Sequence, residues 1–232
     1  IYLAHVAWAK TLQLGRGLPT QDLISQVQVL HDVVEDTLPP PQRLHALAAI
    51  DHALEGLPAF RFPESHIAED NPHFTLARAY LAALLGQRRS EAMDLITEAV
   101  KNRTGIREIY LQVFQPVLRE IGRLWHIGEV SVAEEHYSSA VTQIIMSQLY
   151  PYIFCNRKQG KTLIAACVGG ELHEIGIRIV ADFAEMEGWD SIYLGANLPS
   201  QEIVDTVGKS KADVLGLSAS SSFHIDHIRE II

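Results

Sequence analysis

The sequence predicts a mixed α plus α/β chain: an N-terminal helical unit and a four-helix bundle, followed by a parallel-sheet domain. Two observations predict it. Up to Tyr150, apolar residues recur every three or four positions in runs punctuated by glycine and proline, which is the period of amphipathic helices. From Thr162 onward, short apolar, β-branched runs alternate with helical patterns, as parallel βα units require.

Residues 1–57 read as a small helical unit whose sequence discloses no role. Trp8, Leu12 and Leu14 lead into the turn Gly15-Arg16-Gly17 and Pro19. A helix starting at Thr20 or Gln21 then carries Leu23, Ile24, Val27, Leu30, Val33 and Val34, and ends before Pro39-Pro40-Pro41. The next places Leu44, Leu47, Ile50 and Leu54 on one face and stops at Gly56. Residues 58–72, with Pro58, Pro63 and Pro72, read as a linker. Four helical patterns follow at 73–87, 90–102, 106–125 and 131–149, punctuated by Gly86, Gly105 and Gly128. Their short connections predict antiparallel neighbours, hence a four-helix bundle over 73–150 with Tyr110, Phe114 and Met146 in its core.

After a connector at 150–160, strands are expected at 162–168, 191–195 and 213–218. Helices are expected at 174–188, at Ser200–Gly208 with Ser200 capping after Pro199, and from about His224. With right-handed crossovers this is a Rossmann-like, flavodoxin-like domain over 161–232. A full domain of that kind carries about five strands, so this one is expected to be incomplete at Ile232. A chain that starts at Ile1 is expected to be a fragment.

Composition narrows the function classes. The 232 residues are 47% hydrophobic and 20% charged, ordinary for a globular protein. No apolar run reaches membrane-spanning length, and no signal peptide is evident. The net charge of −9 argues against phosphate-backbone binding. Cys155 and Cys167 form neither a disulfide framework nor a zinc spacing, so a reducing cytoplasm is expected.

The stretch Gly169-Gly170-Glu171-Leu172-His173-Glu174-Ile175-Gly176 places a histidine in the loop after the first strand, where open α/β sheets bind ligands. Gly169 and Gly170 permit a tight backbone, and Gly176 permits close approach. Glu171 can fix the tautomer of His173 and raise its basicity as a metal ligand. The loop Gly195-Ala196-Asn197-Leu198-Pro199 emerges at the same edge. His224 and His227 share a helical face around Asp226, but no third ligand is evident and they are not read as a metal site. Glu185, Glu187 and Asp190 read as a solvated face around Gly188, and Glu134 is expected to face solvent.

Glu171-x-His173-x-x-Gly176 resembles the cobalamin-binding signature Asp-x-His-x-x-Gly, with Glu for Asp. That family expects a Ser-x-Leu further on. Here Ser218-Ala219-Ser220 stands there, the serine kept and the leucine replaced. The resemblance implies that His173 coordinates cobalt from below, displacing the cofactor's own dimethylbenzimidazole into a pocket beside the sheet. The expected lower contacts are Glu171, Leu172, His173, Ile175, Gly176, Gly195, Asn197, Leu198, Ser218 and Ser220.

Trp125-His126 and Glu135-His136 flank the turn between the last two bundle helices. Their spacing resembles the CarH-type adenosylcobalamin photoreceptors, in which the bundle caps the upper face of the cofactor. The resemblance implies that Trp125, Glu135 and His136 enclose the adenosyl group and that Val132 lines the pocket. It also implies that His126 becomes the upper cobalt ligand once light has broken the cobalt–carbon bond. The expected function is a cobalamin sensor or photoreceptor, not an enzyme, with adenosylcobalamin preferred. The alternative is a corrinoid methyl carrier of a methyltransferase system, which must uncover its upper face. A passive cobalamin- or partner-binding module is a third. CarH-type regulators carry a DNA-binding module that residues 1–57 do not resemble. The expected partners are therefore further copies of the chain or a downstream signalling protein or domain, not nucleic acid or membrane.

Overall fold

Proline and glycine set the helix boundaries of the first part. The structure, a computed structural model, describes residues 2–60, 64–154 and 158–232. Pro63 of the expected linker and Cys155 lie outside the described residues. Helices α1 (Tyr2–Leu14), α2 (Thr20–Thr37) and α3 (Pro40–Gly56) come first. Pro40 sits at the first turn of α3, where its missing N–H costs nothing. Then come α4 (Phe74–Leu85), α5 (Arg89–Lys101), α6 (Ile106–Ile109), α7 (Gln115–His126), α8 (Val132–Gln148) and α9 (Tyr150–Ile153). The chain divides into two compact units, residues 1–88 with 112–138 and residues 89–111 with 139–232.

In the first unit, Val6 and Ala7 of α1, Leu23 and Val27 of α2, Ile50 and Ala53 of α3, and Leu57 form one buried core. α4 packs on α7. The helix expected over 106–125 is interrupted by a π-helical turn, Tyr110–Phe114. Pro116 has no N–H to give the carbonyl four residues before it, that of Gln112, and the Asn71 side chain donates there at 2.8 Å. Buried Glu120 accepts from Arg123 at 2.7 and 3.1 Å and from the His66 N–H at 2.8 Å, which ties the segment before α4 to α7. Glu134 is not simply turned to solvent: it accepts from the Ser131 N–H at 2.8 Å, and its own N–H donates to the Ser131 hydroxyl at 3.2 Å. That reciprocal pair is a capping box opening α8.

In the second unit, β1 (Thr162–Cys167), α10 (Ile175–Met186), β2 (Asp190–Gly195), α11 (Ser200–Ser210) and β3 (Val214–Ser218) alternate, and a 3₁₀ turn (Ser222–His224) leads into α12 (Ile225–Ile231). The sheet is parallel throughout, in the order β2-β1-β3. Central β1 is buried from Leu163 to Cys167, which explains its unbroken apolar run. It packs with Ile177 and Ala181 of α10. Inside this unit Tyr110 donates to Asp182 at 2.8 Å, and buried Arg178 donates to Ser147 at 2.7 Å and to Tyr150 at 3.3 Å. Ser200 does not cap α11; its hydroxyl donates to Glu230 at 2.8 Å. Glu185 is also drawn inward, accepting from the Ser191 N–H at 2.8 Å and Lys158 at 3.0 Å. The chain runs from β1 outward to β2 and then crosses back to β3 on the other side. The carboxyl ends of β1 and β3 therefore form a topological switch point, where a ligand crevice opens.

Candidate functional site

At that switch point the loop after β1 folds around one carboxylate. Val168 continues the strand, its N–H donating to the Ser218 carbonyl at 3.2 Å. Gly170 then takes a φ of 79°, a left-handed conformation natural only to glycine. This turns Glu171 inward, where it is 1% exposed. One oxygen, Oε1, accepts from the His173 N–H at 2.7 Å and from Nδ1 of its ring at 2.6 Å. The other, Oε2, accepts from the Ser220 N–H in the loop after β3 and lies 3.3 Å from Nδ1 of His224. Burial alone would raise the pKa of this carboxyl, but the hydrogen bonds from Ser220 and His173 outweigh it and hold it at about 2.

An ionised carboxylate only accepts, so Nδ1 of His173 carries the proton and Nε2 carries the lone pair. The His173 side chain is 82% exposed. The Ser220 hydroxyl lies 3.2 Å from the same Nδ1. This is the arrangement in which a carboxylate fixes and enriches an imidazole ligand.

The loop after β2 is bolted to the first. Asn197, at φ 56°, accepts from the Gly170 N–H at 2.9 Å through its side chain, and its own N–H donates to the Glu171 carbonyl at 3.1 Å. Glu174 accepts from Tyr193 at 2.6 Å and Gln143 at 3.0 Å. Leu172 is exposed, and a Cβ added at Gly176 would meet nothing within 4 Å. Ser218 stands opposite Cys167 across the strand pair. Burial of Cys167 pushes its thiol up to about 11, so it is no nucleophile. The structure thus brings together Glu171, Leu172, His173, Ile175, Gly176, Gly195, Asn197, Leu198, Ser218 and Ser220 at one edge of the sheet. It adds His224, which the sequence offered only as half of a discarded metal pair.

The turn after α7 is built differently. His126 is 3% exposed; its Nε2–H donates to the Trp8 carbonyl at 2.6 Å, and its ring stacks on that of Trp8 with centroids 4.9 Å apart. Burial, the largest influence, and the Arg16 charge push the pKa of His126 down, against the Trp8 hydrogen bond. The guanidinium of Arg16 lies 5.7 Å from the centre of the Trp125 ring. A Cβ on Gly15 would fall 2.5 Å from the backbone of Ile127. α1 is therefore fitted against the turn that carries Trp125 and His126, a contact between residues too far apart in sequence to be foreseen. Past the turn, Val132 is exposed, and His136 donates through Nδ1 to Glu135 at 2.8 Å with its ring largely in solvent.

Two B12 binding domain models match the chain, one over residues 161–232 and the other over residues 76–150. The chain belongs to the cobalamin-binding family. Its cofactor is cobalamin, and the exposed, carboxylate-backed imidazole of the switch-point loop has the chemistry of a metal ligand. The chain is 25% identical over 179 residues to the HTH-type transcriptional repressor CarH of Myxococcus xanthus, covering 76% of this chain and 58% of that protein. It thus spans less than two thirds of the repressor's length. It is 24% identical over 149 residues to dimethylamine corrinoid protein 1 of Methanosarcina acetivorans, covering 62% of this chain and 68% of that protein. Among solved structures, the monomethylamine corrinoid protein of Methanosarcina barkeri shares the fold, with a TM-score of 0.60 at 19% identity, covering 68% of this chain and 76% of that one. No helix among the described residues is long and apolar enough to cross a membrane.

Proposed function

We propose that the chain is a cobalamin-dependent sensor, an adenosylcobalamin photoreceptor rather than an enzyme, with His173 as the lower ligand of cobalt. The observation that carries the ligand assignment is the 2.6 Å pairing of Glu171 with Nδ1 of His173, which leaves Nε2 of an exposed ring with its lone pair. Adenosylcobalamin, when bound, supplies a cobalt–carbon bond that light cleaves. Glu171 keeps the His173 proton on Nδ1, Asn197 and Ser220 hold the loop in place, and Gly176 leaves room for close approach. Trp125, Val132, Glu135 and His136 would enclose the adenosyl group. The likeness to the CarH repressor along most of this chain supports the sensor role.

His126, the proposed upper ligand of the lit state, begins committed to Trp8. To present Nε2 it must leave the Trp8 carbonyl, so its recruitment strips α1 of a hydrogen bond and a stacking partner. A partner copy or a downstream protein or domain receives the change. The second proposal, a corrinoid methyl carrier serving a methyltransferase, is supported by the likeness to the dimethylamine corrinoid protein.

The deciding experiment is the visible spectrum of dark-purified protein with adenosylcobalamin, before and after green light, for wild type and His126→Ala. A lasting shift to a bis-imidazole spectrum that the variant lacks supports the photoreceptor and the role of His126. A shift that survives in the variant moves the upper ligand elsewhere, His136 first. Preference for methylcobalamin with no lasting light product favours the methyl carrier.

A further inference from the structure

We infer that His224 is a positioning residue of the lower-ligand site: its imidazole clamps the second oxygen of Glu171 and thereby sets the orientation of His173. The inference rests on the proposal that His173 binds cobalt.

Glu171 has two oxygens, and the His173 ring uses only one. Aimed by one oxygen alone, a carboxylate can rock about its last torsion, which is broad and roughly two-fold. Its other oxygen, Oε2, is held by the Ser220 N–H and faces Nδ1 of His224 at 3.3 Å. That Nδ1 is buried and has no hydrogen-bond partner among the described residues; Oε2 lies within ion-pair reach of it, outside hydrogen-bond geometry. The group facing it at that distance is a carboxylate. A lone pair there would face carboxylate lone pairs, so Nδ1 carries hydrogen, and a small turn of the ring from its present position brings that hydrogen onto Oε2. Two imidazoles thus face one carboxylate, His173 hydrogen-bonded at Oε1 and His224 within ion-pair reach of Oε2.

Two further features hold His224 where it can do this. Its ring lies over Gly170, where Nε2 would be 3.5 Å from an added Cβ, and the left-handed φ of Gly170 keeps that position free of side chain. His224 also closes the 3₁₀ turn after β3, where the Ser221 hydroxyl accepts from the Phe223 N–H at 3.3 Å and the His224 N–H donates to the Ser221 carbonyl at 3.1 Å. The loop after β3 therefore grips the carboxylate that aims the histidine of the loop after β1. The contact that links His224 to the His173 ring runs through Glu171.

The test uses the full chain loaded with cob(II)alamin, whose electron paramagnetic resonance signal splits when a nitrogen ligates cobalt. His224→Ala removes the donor, His224→Leu removes it while filling the space, and His224→Asn returns an amide N–H near the position of Nδ1. For the Ala and Leu variants we expect part of the signal to lose its nitrogen splitting and cobalamin affinity to fall roughly ten- to hundredfold, the usual range for a lost outer partner. The Asn variant is expected to recover both. Wild-type splitting and affinity in the Ala and Leu variants would overturn the inference, as would a loss that Asn does not restore, which would assign His224 to packing. Should wild type itself show no nitrogen splitting, or His173→Ala retain it, the lower-ligand proposal fails first and takes this inference with it.

Discussion

The loop after β1 and the turn after α7 each carry a histidine, and they hold it in opposite ways. His173 stands in solvent with a buried carboxylate on Nδ1, so its Nε2 is the lone-pair nitrogen. His126 is buried, and its Nε2 carries a hydrogen already given to the Trp8 carbonyl. The first imidazole is prepared by its neighbours to bind something outside the protein. The second completes the protein's own packing. A change of partner at His126 gives up its hydrogen bond to the Trp8 carbonyl and its stack on the Trp8 ring, together about 2 kcal/mol. Such a contact is strong enough to define a resting state and weak enough to be exchanged.

The largest effect is expected from exchanging the two histidines' roles by deletion. His173→Ala should lower cobalamin affinity by at least about a hundredfold, yet change the cofactor-free stability by only about 1 kcal/mol, through the hydrogen bond to Glu171 and not through buried area. His126→Ala should do the reverse, with dark-state affinity nearly kept and about 2 kcal/mol of stability lost from a buried, stacked and hydrogen-bonded ring. Cobalamin titration and denaturant unfolding of both variants check this. An affinity loss in His126→Ala without a stability loss would break the contrast.

Glu171→Gln comes next. The amide keeps the shape but sets an NH₂ against the donors on one side, either the N–H and ring of His173 or the N–H of Ser220, so the hold on the His173 ring is broken or loosened. We expect affinity to fall roughly ten- to hundredfold, with a larger share of cofactor bound without a nitrogen ligand. An unchanged spectrum would show that the carboxylate serves the loop and not the ring.

Much of the loop after β1 was legible in the sequence, because its shape depends on local order. An apolar strand, two glycines, a carboxylate two residues before a histidine and a helix fall within one short stretch, and β1 and α10 lie within a residue or two of the expected bounds. The capping box of Ser131 and Glu134 and the interruption before Pro116 also have local signatures, but the helical periodicity masked them and neither was read from the sequence. The upper turn was not. Nothing near His126 in the chain announces that Trp8 covers it, since that contact joins residues 118 apart and depends on how α1 packs. The same holds for His224, whose partner Glu171 belongs to a different loop and is brought to it only by the pairing of β1 with β3.

Trp8→Ala probes that unforeseen contact with a smaller effect. Trp8 is half exposed, so its loss should cost about 1–2 kcal/mol, less than a core tryptophan. The His126 ring loses its stack but keeps the backbone carbonyl. If recruitment of His126 is the switch, the variant should reach its lit spectrum faster than wild type in flash photolysis. An unchanged rate would show that release from Trp8 does not limit the change.

The smallest expected effect comes from a pair of glycines, one at each site. Gly128, at φ 83°, is filled by protein: a Cβ there would lie 2.3 Å from the Gly15 carbonyl oxygen, so Gly128→Ala should cost more than about 1 kcal/mol. Gly176 opens the first turn of α10 at ordinary φ, and an added Cβ meets no protein atom within 4 Å. By helix propensity alone, Gly176→Ala should stabilise the cofactor-free chain by about 0.5–1 kcal/mol. A glycine kept where alanine would be better for the fold implies that the space belongs to something else. With cobalamin bound against this helix start, the same methyl should weaken binding, so melting temperature rises while affinity falls. If both rise, Gly176 is not part of the contact surface, and the cofactor lies further toward the loops of Asn197 and Ser220.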